Sequence, residues 1–200
     1  HYDNGVNADY FATGTGAASP YAPGEQAIVF TGAMDYWPNV DAVCWFAREV
    51  FPRLRHNFPQ LAFYVVGSNP AAEVQALAGE NGIAVTGRVP DVRPYLDHAL
   101  AAVAPMRIAR GVQNKVLEAM AMARPVLVSP RGLEGIDARD GEHVLLADSP
   151  DDYARHVATL LADGCPGLGE RARELVRTRF AWEACLPEVV SLLAPRALDG

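Results

Sequence analysis

Six short apolar runs punctuate the 200-residue chain: AIVFTG (27–32), LAFYVVG (61–67), IAVTG (83–87), ALAAVAP (99–105), PVLVSP (125–130) and HVLLA (143–147). Each is too brief for a buried helix, and most stop at Gly or Pro, which predicts strands. They are apolar throughout rather than alternating, so both faces of their sheet must be covered, as in parallel sheets. Helical segments fill the gaps. Pro38 opens one in which Val40, Val43, Cys44, Ala47, Val50 and Phe51 recur at helical spacing. Others are expected near 71–80, 112–123, 150–162, 167–179 and 182–194, with a short connection DVRPYLDHA interrupted by Pro94. This alternation predicts a single α/β domain, a doubly wound, Rossmann-like parallel sheet of about six strands. Ligands of such sheets bind beyond the carboxyl ends of the strands.

Residues 1–25 are rich in Gly, Ala, Ser, Pro and Asn and read as a linker entering a domain that spans 26–200. The chain opens on His1 rather than Met and reads as a piece of a longer protein. A net charge of −7 argues against a nucleic-acid partner. No apolar run approaches membrane-spanning length and no signal peptide is visible. A cytoplasmic domain is expected, with membrane contact only through some other part of the full-length protein. Cys44, Cys165 and Cys185 are odd in number and far apart, which suits reduced, buried thiols and predicts no metal site.

The chemistry concentrates in PMRIARGVQNKVLEAMAMARPVLVS (105–129). Arg107, Arg110 and Lys115 crowd the start of the helix expected from Val112, where the helix dipole already makes cations unfavourable. A bound phosphate reverses that sign. Glu118, one turn on, is the only acid of the segment, suited to hydroxyl groups beside the anion. The blander alternative is a surface Lys–Glu pair, but that contributes only about 0.2–0.5 kcal/mol and leaves the arginines unexplained. Gly111 would let backbone approach a ligand and leave its N–H to donate. Neither a P-loop nor a G-x-G-x-x-G fingerprint occurs. Asp35, Tyr36 and Trp37 either border a ligand or a partner domain, or pack on the neighbouring helix. Glu134 is read almost evenly as a ligand neighbour or a loop acid.

Several blocks carry a resemblance. They are Asn4-Gly5-Val6 with Phe11, TGAMDYWPNVDA (31–42), FYVVGSNP (63–70), VTGRVPDVRPYL (85–96), GVQNKVLEAMAMARPVL (111–127), LEGI (133–136) and FAWE (180–183). With these the chain resembles the C-terminal, donor-binding half of a GT-B glycosyltransferase. It is similar to family 4, the group 1 glycosyl transferases, and especially to sugar transferases of exopolysaccharide clusters. The most specific block is K-x-L-E-A-M-A followed by P-V.

The resemblance implies a retaining, metal-independent transfer from a nucleoside-diphosphate sugar, with no cofactor. It also implies an acceptor-binding domain preceding this one and a terminal helix that crosses back to it. Residue by residue, Glu118 matches the carboxylate that meets the ribose hydroxyls. Lys115 and Arg107 match basic positions facing the diphosphate and are the expected catalytic groups, with help from the Gly111 and Val112 backbone; diphosphate binding leans on Arg110 as well because the loop after the first strand has no Arg or Lys. Arg88 and Val89 lie where main chain meets the nucleobase, and Gly32 and Gly67 end strands beside the donor. Two departures stand out. Arg110 occupies the first position of the family's Glu-x7-Glu pattern, and the loop GAMDYWPN lacks the usual Arg and Lys. A nucleotide-sugar epimerase half and a non-catalytic binding domain are the alternatives.

Overall fold

The computed structural model describes residues 5–182. The expected helix over 182–194, with the terminal crossover and Cys185, therefore lies outside the described residues, apart from Trp182. All six expected strands form: β1 (Gln26–Thr31), β2 (Leu61–Val66), β3 (Ile83–Gly87), β4 (Ala101–Ala104), β5 (Val126–Val128) and β6 (Leu145–Leu146). They make one sheet in the order β3-β2-β1-β4-β5-β6, and every pairing is parallel. Strand order therefore reverses between β1 and β4. That switch point is where the flanking loops diverge and leave a crevice.

The helices depart from expectation in instructive ways. The segment opened by Pro38 is α1 (Trp37–Trp45), followed by a π-helical turn over Phe46–Val50 and then α2 (Phe51–Asn57). Pro52 has no N–H to donate to Arg48, so the ladder resets there, and the Phe51 N–H reaches five residues back to the Phe46 carbonyl. The helix expected over 71–80 is a single turn, α3 (Ala72–Gln75). Gly79, Asn81 and Gly82 all adopt positive φ, because the chain must reverse within a few residues to enter β3. The connection after β3 forms α4 (Arg93–His98), with Pro94 inside its first turn.

After β4 comes α5 (Asn114–Ala121), two residues later than Val112, and it packs against β4, β5 and α7 (Leu168–Arg179). Between them α6 (Pro150–Asp163) begins with a capping box in which Ser149 and Asp152 satisfy each other's backbone, and ends at Gly164 with φ +67°. Phe30, Phe46, Phe51, Phe63 and Tyr153 are fully buried at the centre of the core.

The segment preceding β1 lies against the domain. The Val6 N–H donates to the Phe180 carbonyl at 2.8 Å. Asp97 accepts the amides of Gly14 and Thr15 at 3.3 and 3.0 Å. No helix among the described residues is long and apolar enough to cross a membrane.

Candidate functional site

The site grows out of how β1, β2 and β3 end. Gly32 follows β1 with φ +150°, and its N–H donates to the Val66 carbonyl at 3.1 Å. Gly67 follows β2 and donates to the Gly87 carbonyl at 3.2 Å. The two turns touch: a Cβ on Gly67 would stand 1.6 Å from the Gly32 carbonyl oxygen. No other residue fits that position. The loops beyond are laced together, Met34 N–H to Ser68 carbonyl at 2.8 Å and Ala71 N–H to Met34 carbonyl at 3.0 Å. The result is a rigid floor at the carboxyl edge of the sheet.

Above it opens a cavity of about 690 Å³ between that floor and the start of α5. Thr31, Gly32, Gly67, Arg88 and Val89 form one side. Arg110, Val112, Gln113, Lys115 and Glu118 form the other. Phe11 and Tyr36 also line it, as does Val92. A cavity of this size suits a small organic ligand.

At one end the groups suit an anion. Gln113 caps α5 without a side-chain bond to its amides, and only from Val116 onward do the amides find a carbonyl, that of Gln113 at 2.9 Å. Those of Asn114 and Lys115 donate to no acceptor among the described residues. The Lys115 ammonium donates to Asn39 Oδ1 at 2.9 Å and Gln113 Oε1 at 3.4 Å, and sits 5.2 Å from the centre of the Phe30 ring. Burial pushes its pKa down from 10.5 to about 8, and the Glu118 carboxylate opposes that shift. Such a cation gains most from meeting an anion.

At the other end, one turn along α5, stands Glu118. Burial pushes its pKa up, and Lys115 pulls it back. Its carboxylate accepts no hydrogen bond from the described residues, so an acceptor lies open to a ligand's hydroxyl groups. Phe11, Val89 and Val92 add apolar surface to the cavity. Phe11 is held near the far end of α5 by Arg173, whose guanidinium donates to both the Phe11 and Ala121 carbonyls.

Of the residues picked out in the sequence, the cavity gathers Gly32, Gly67, Arg88, Val89, Arg110, Val112, Lys115 and Glu118. Two fall elsewhere. Arg107 is away from the cavity, its Nε donating to Asp41 Oδ2 at 3.0 Å beside Cys44 and Trp45. The largely covered carboxylate of Asp41 on α1 pairs with it there. Gly111, at φ +71°, stays off the cavity wall, and its carbonyl takes the Gln113 side-chain amide at 3.0 Å. Because α5 starts late, the amides at its tip are those of Asn114 and Lys115, and those of Gly111 and Val112 just before it likewise donate to no acceptor among the described residues. Val112 sits before the helix, where Gly135 leaves room for its side chain. Glu134 lies on a separate surface pocket with Arg131.

Sequence reasoning missed Asn39 and Gln113 as partners of Lys115, and Phe11 as a wall of the cavity. The Pro-Asn dipeptide at the start of α1 and the Phe following Asn-Gly-Val stand out in the sequence only as parts of longer blocks.

A doubly wound sheet in 3-2-1-4-5-6 order, with a cavity over its carboxyl edge, is a Rossmann-like α/β architecture. Within that class the family is specific. The family model of group 1 glycosyl transferases matches residues 25–163, and the chain belongs to that family.

No curated protein sequence gives a significant match. Solved structures do match in fold. Sucrose-phosphate synthase from Thermosynechococcus elongatus superposes with a TM-score of 0.74 at 21% identity, over 96% of this chain and 51% of that one. HepE from Anabaena, solved with UDP and glucose, gives 0.74 at 14% identity, over 95% of this chain and 55% of its own. The C-terminal domain of a group 1 glycosyl transferase, LpcC, from Francisella tularensis gives 0.67 at 16%, over 89% of this chain and all of that domain. The chain thus spans about half the length of the first two.

Proposed function

We propose that this chain is the nucleotide-sugar-binding half of a retaining, metal-independent glycosyltransferase acting in cytoplasmic steps of surface-polysaccharide synthesis. A second domain, preceding it, would bind the acceptor. One observation carries the reading: a single cavity sets a largely buried ammonium and helix-tip amides one helical turn from a carboxylate, and neither those amides nor that carboxylate has a hydrogen-bond partner among the described residues. That order matches a diphosphate followed by a ribose. The binding of UDP and glucose by HepE, which shares the fold, supports it.

In this reading Lys115 and the amides of Asn114 and Lys115 neutralise charge gathering on the departing nucleoside diphosphate. Fixed donors of that kind, already in place before bond cleavage, supply the largest electrostatic share of such a transfer. Arg110 at the rim assists, and Arg107, engaged by Asp41, does not. Glu118 holds the ribose, and Arg88 and Val89 border the base.

The test has two parts. Calorimetric titration of UDP, GDP and ADP into this chain should find one that binds at a single site. A protein carrying both halves, given the matching nucleotide sugar, should release a product whose anomeric configuration by NMR is that of the donor. Binding of none of the three, or an inverted or epimerised sugar, would refute the reading.

A further inference from the structure

Asn39 is a polar side chain in the apolar wall behind the cavity, only 4% exposed. Its position is fixed from three sides. Its backbone N–H donates to the Tyr36 carbonyl at 2.9 Å, its Nδ2 donates to the Ala33 carbonyl at 2.9 Å, and its Oδ1 accepts from Lys115 Nζ at 2.9 Å. The bond to Ala33 settles which way the amide faces, since the flipped form would turn a donor on an ammonium. Gly32 clears the space: a Cβ there would stand 2.8 Å from Asn39 Nδ2 and 3.4 Å from Lys115 Cε.

Resting on the function proposed above, we infer that Asn39 is a positioning residue that anchors the Lys115 ammonium at the tip of α5 without neutralising it. An ammonium has three donors. Asn39 and Gln113 engage two of them through neutral oxygens, leaving the third donor and the whole charge for an anion. A carboxylate at position 39 would be nearly the same shape and would bind the lysine more tightly, but it would cancel the charge the site offers. The neutral amide is what keeps the lysine both fixed and useful.

The other charged groups around Lys115 do not perform this task. Glu118 faces it from the same helix and acts through space. Arg88 and Arg110 reach the cavity from the loops after β3 and β4 and are cations. On α1, Asp41 is taken by Arg107, and in the loop after β1, Asp35 accepts from Asn69 at 3.1 Å.

The experiment compares wild type, Asn39→Asp and Asn39→Ala by calorimetry with pyrophosphate and UDP from pH 6 to 10. Alongside it, NMR follows the titration of the Lys115 side chain in the ligand-free protein. Asn39→Asp should bind both anions about tenfold or more weakly at pH 7, the size of a charge-assisted hydrogen bond to phosphate. It should also move the Lys115 titration to higher pH. Asn39→Ala should weaken binding without that upward move. Equal affinities and an unmoved titration in Asn39→Asp would overturn the inference. If either variant fails to fold, the wild type decides: a Lys115 ammonium held in slow proton exchange supports anchoring, and a freely exchanging one refutes it. The Lys115 titration needs no ligand. A wild type that binds no nucleotide would therefore sink the proposed function, while the anchoring by Asn39 would still stand or fall on that titration.

Discussion

Lys115 and Glu118 stand one turn apart on α5, and each moderates the penalty that burial places on the other's charge. Burial pushes the lysine down to about 8 and the glutamate up, while their mutual attraction opposes both shifts. Two groups held short of full compensation in one cavity are poised to exchange each other's partial company for a ligand.

The first consequence is a pH dependence with a definite sign. A diphosphate favours protonated Lys115, so nucleotide affinity should hold below pH 8 and fall as pH rises through about 8, where the free lysine loses its proton. Lys115→Met should bind weakly at all pH and lose that break. Stability should move oppositely. The folded-state pKa lies below the ordinary 10.5, so the unfolded chain binds more protons across that window, and this group makes folding more favourable as pH rises from about 8 to 10.5. Calorimetry and chemical denaturation over pH 7–10 check the two arms.

Glu118→Gln separates the ends of the cavity. Loss of the carboxylate should weaken a nucleoside diphosphate by about tenfold or more while leaving pyrophosphate affinity unchanged or improved, since a competing negative charge is removed. Titrating both ligands into the variant gives the ratio directly. On the acid side, as the pH is lowered, wild-type nucleotide affinity should start to fall before pH 4.5 is reached, because burial raises the pKa of this carboxyl beyond that ordinary value.

Gly67→Ala attacks the floor. With its Cβ at 1.6 Å from the Gly32 carbonyl oxygen, backbone must move, and the cost should be about 3 kcal/mol or more, at the upper end of overpacking penalties. Urea denaturation should show this loss, and nucleotide binding should fall with it. By contrast, Gly111→Ala meets no atom within 4 Å and should cost only the strain of φ +71°, about 1 kcal/mol.

Ser149→Ala serves as a remote control. Removing the N-cap of α6 should cost about 1 kcal/mol of stability with nucleotide affinity unchanged. Asp152, held below the ordinary carboxylate range by Ser149 and Arg155, makes the same helix acid-sensitive. Its stabilising share is complete above pH 3.8 and is lost as pH falls towards its folded-state value.

The sheet was legible because its inner strands β1, β2, β4 and β5 are buried on both faces and so written as uninterrupted apolar runs, while the half-buried edge strands β3 and β6 still read as short apolar segments. The sheet's carboxyl edge, and with it Gly32, Gly67 and the tip of α5, followed. Three-dimensional competition was not legible. Arg107, Arg110 and Lys115 look equivalent along the chain, but Asp41, 66 residues before Arg107, claims only that one. Asn39 looks like a helix-start residue, and only the fold brings it to Lys115, 76 positions away. The single turn at Ala72–Gln75 was hidden because Ala-rich sequence favours a longer helix, and the reversal at Gly79 and Gly82 overrides that preference.

The most direct measurement is a titration of UDP into the isotope-labelled protein, followed by amide NMR. Shifts should concentrate at Gly32, Gly67, Arg88 and Val89 and from Gln113 to Glu118, and be largest at the Asn114 and Lys115 amides. Shifts confined to other surfaces, such as the pocket at Arg131 and Glu134, with the amides at the start of α5 unmoved, would contradict a diphosphate site at the tip of that helix.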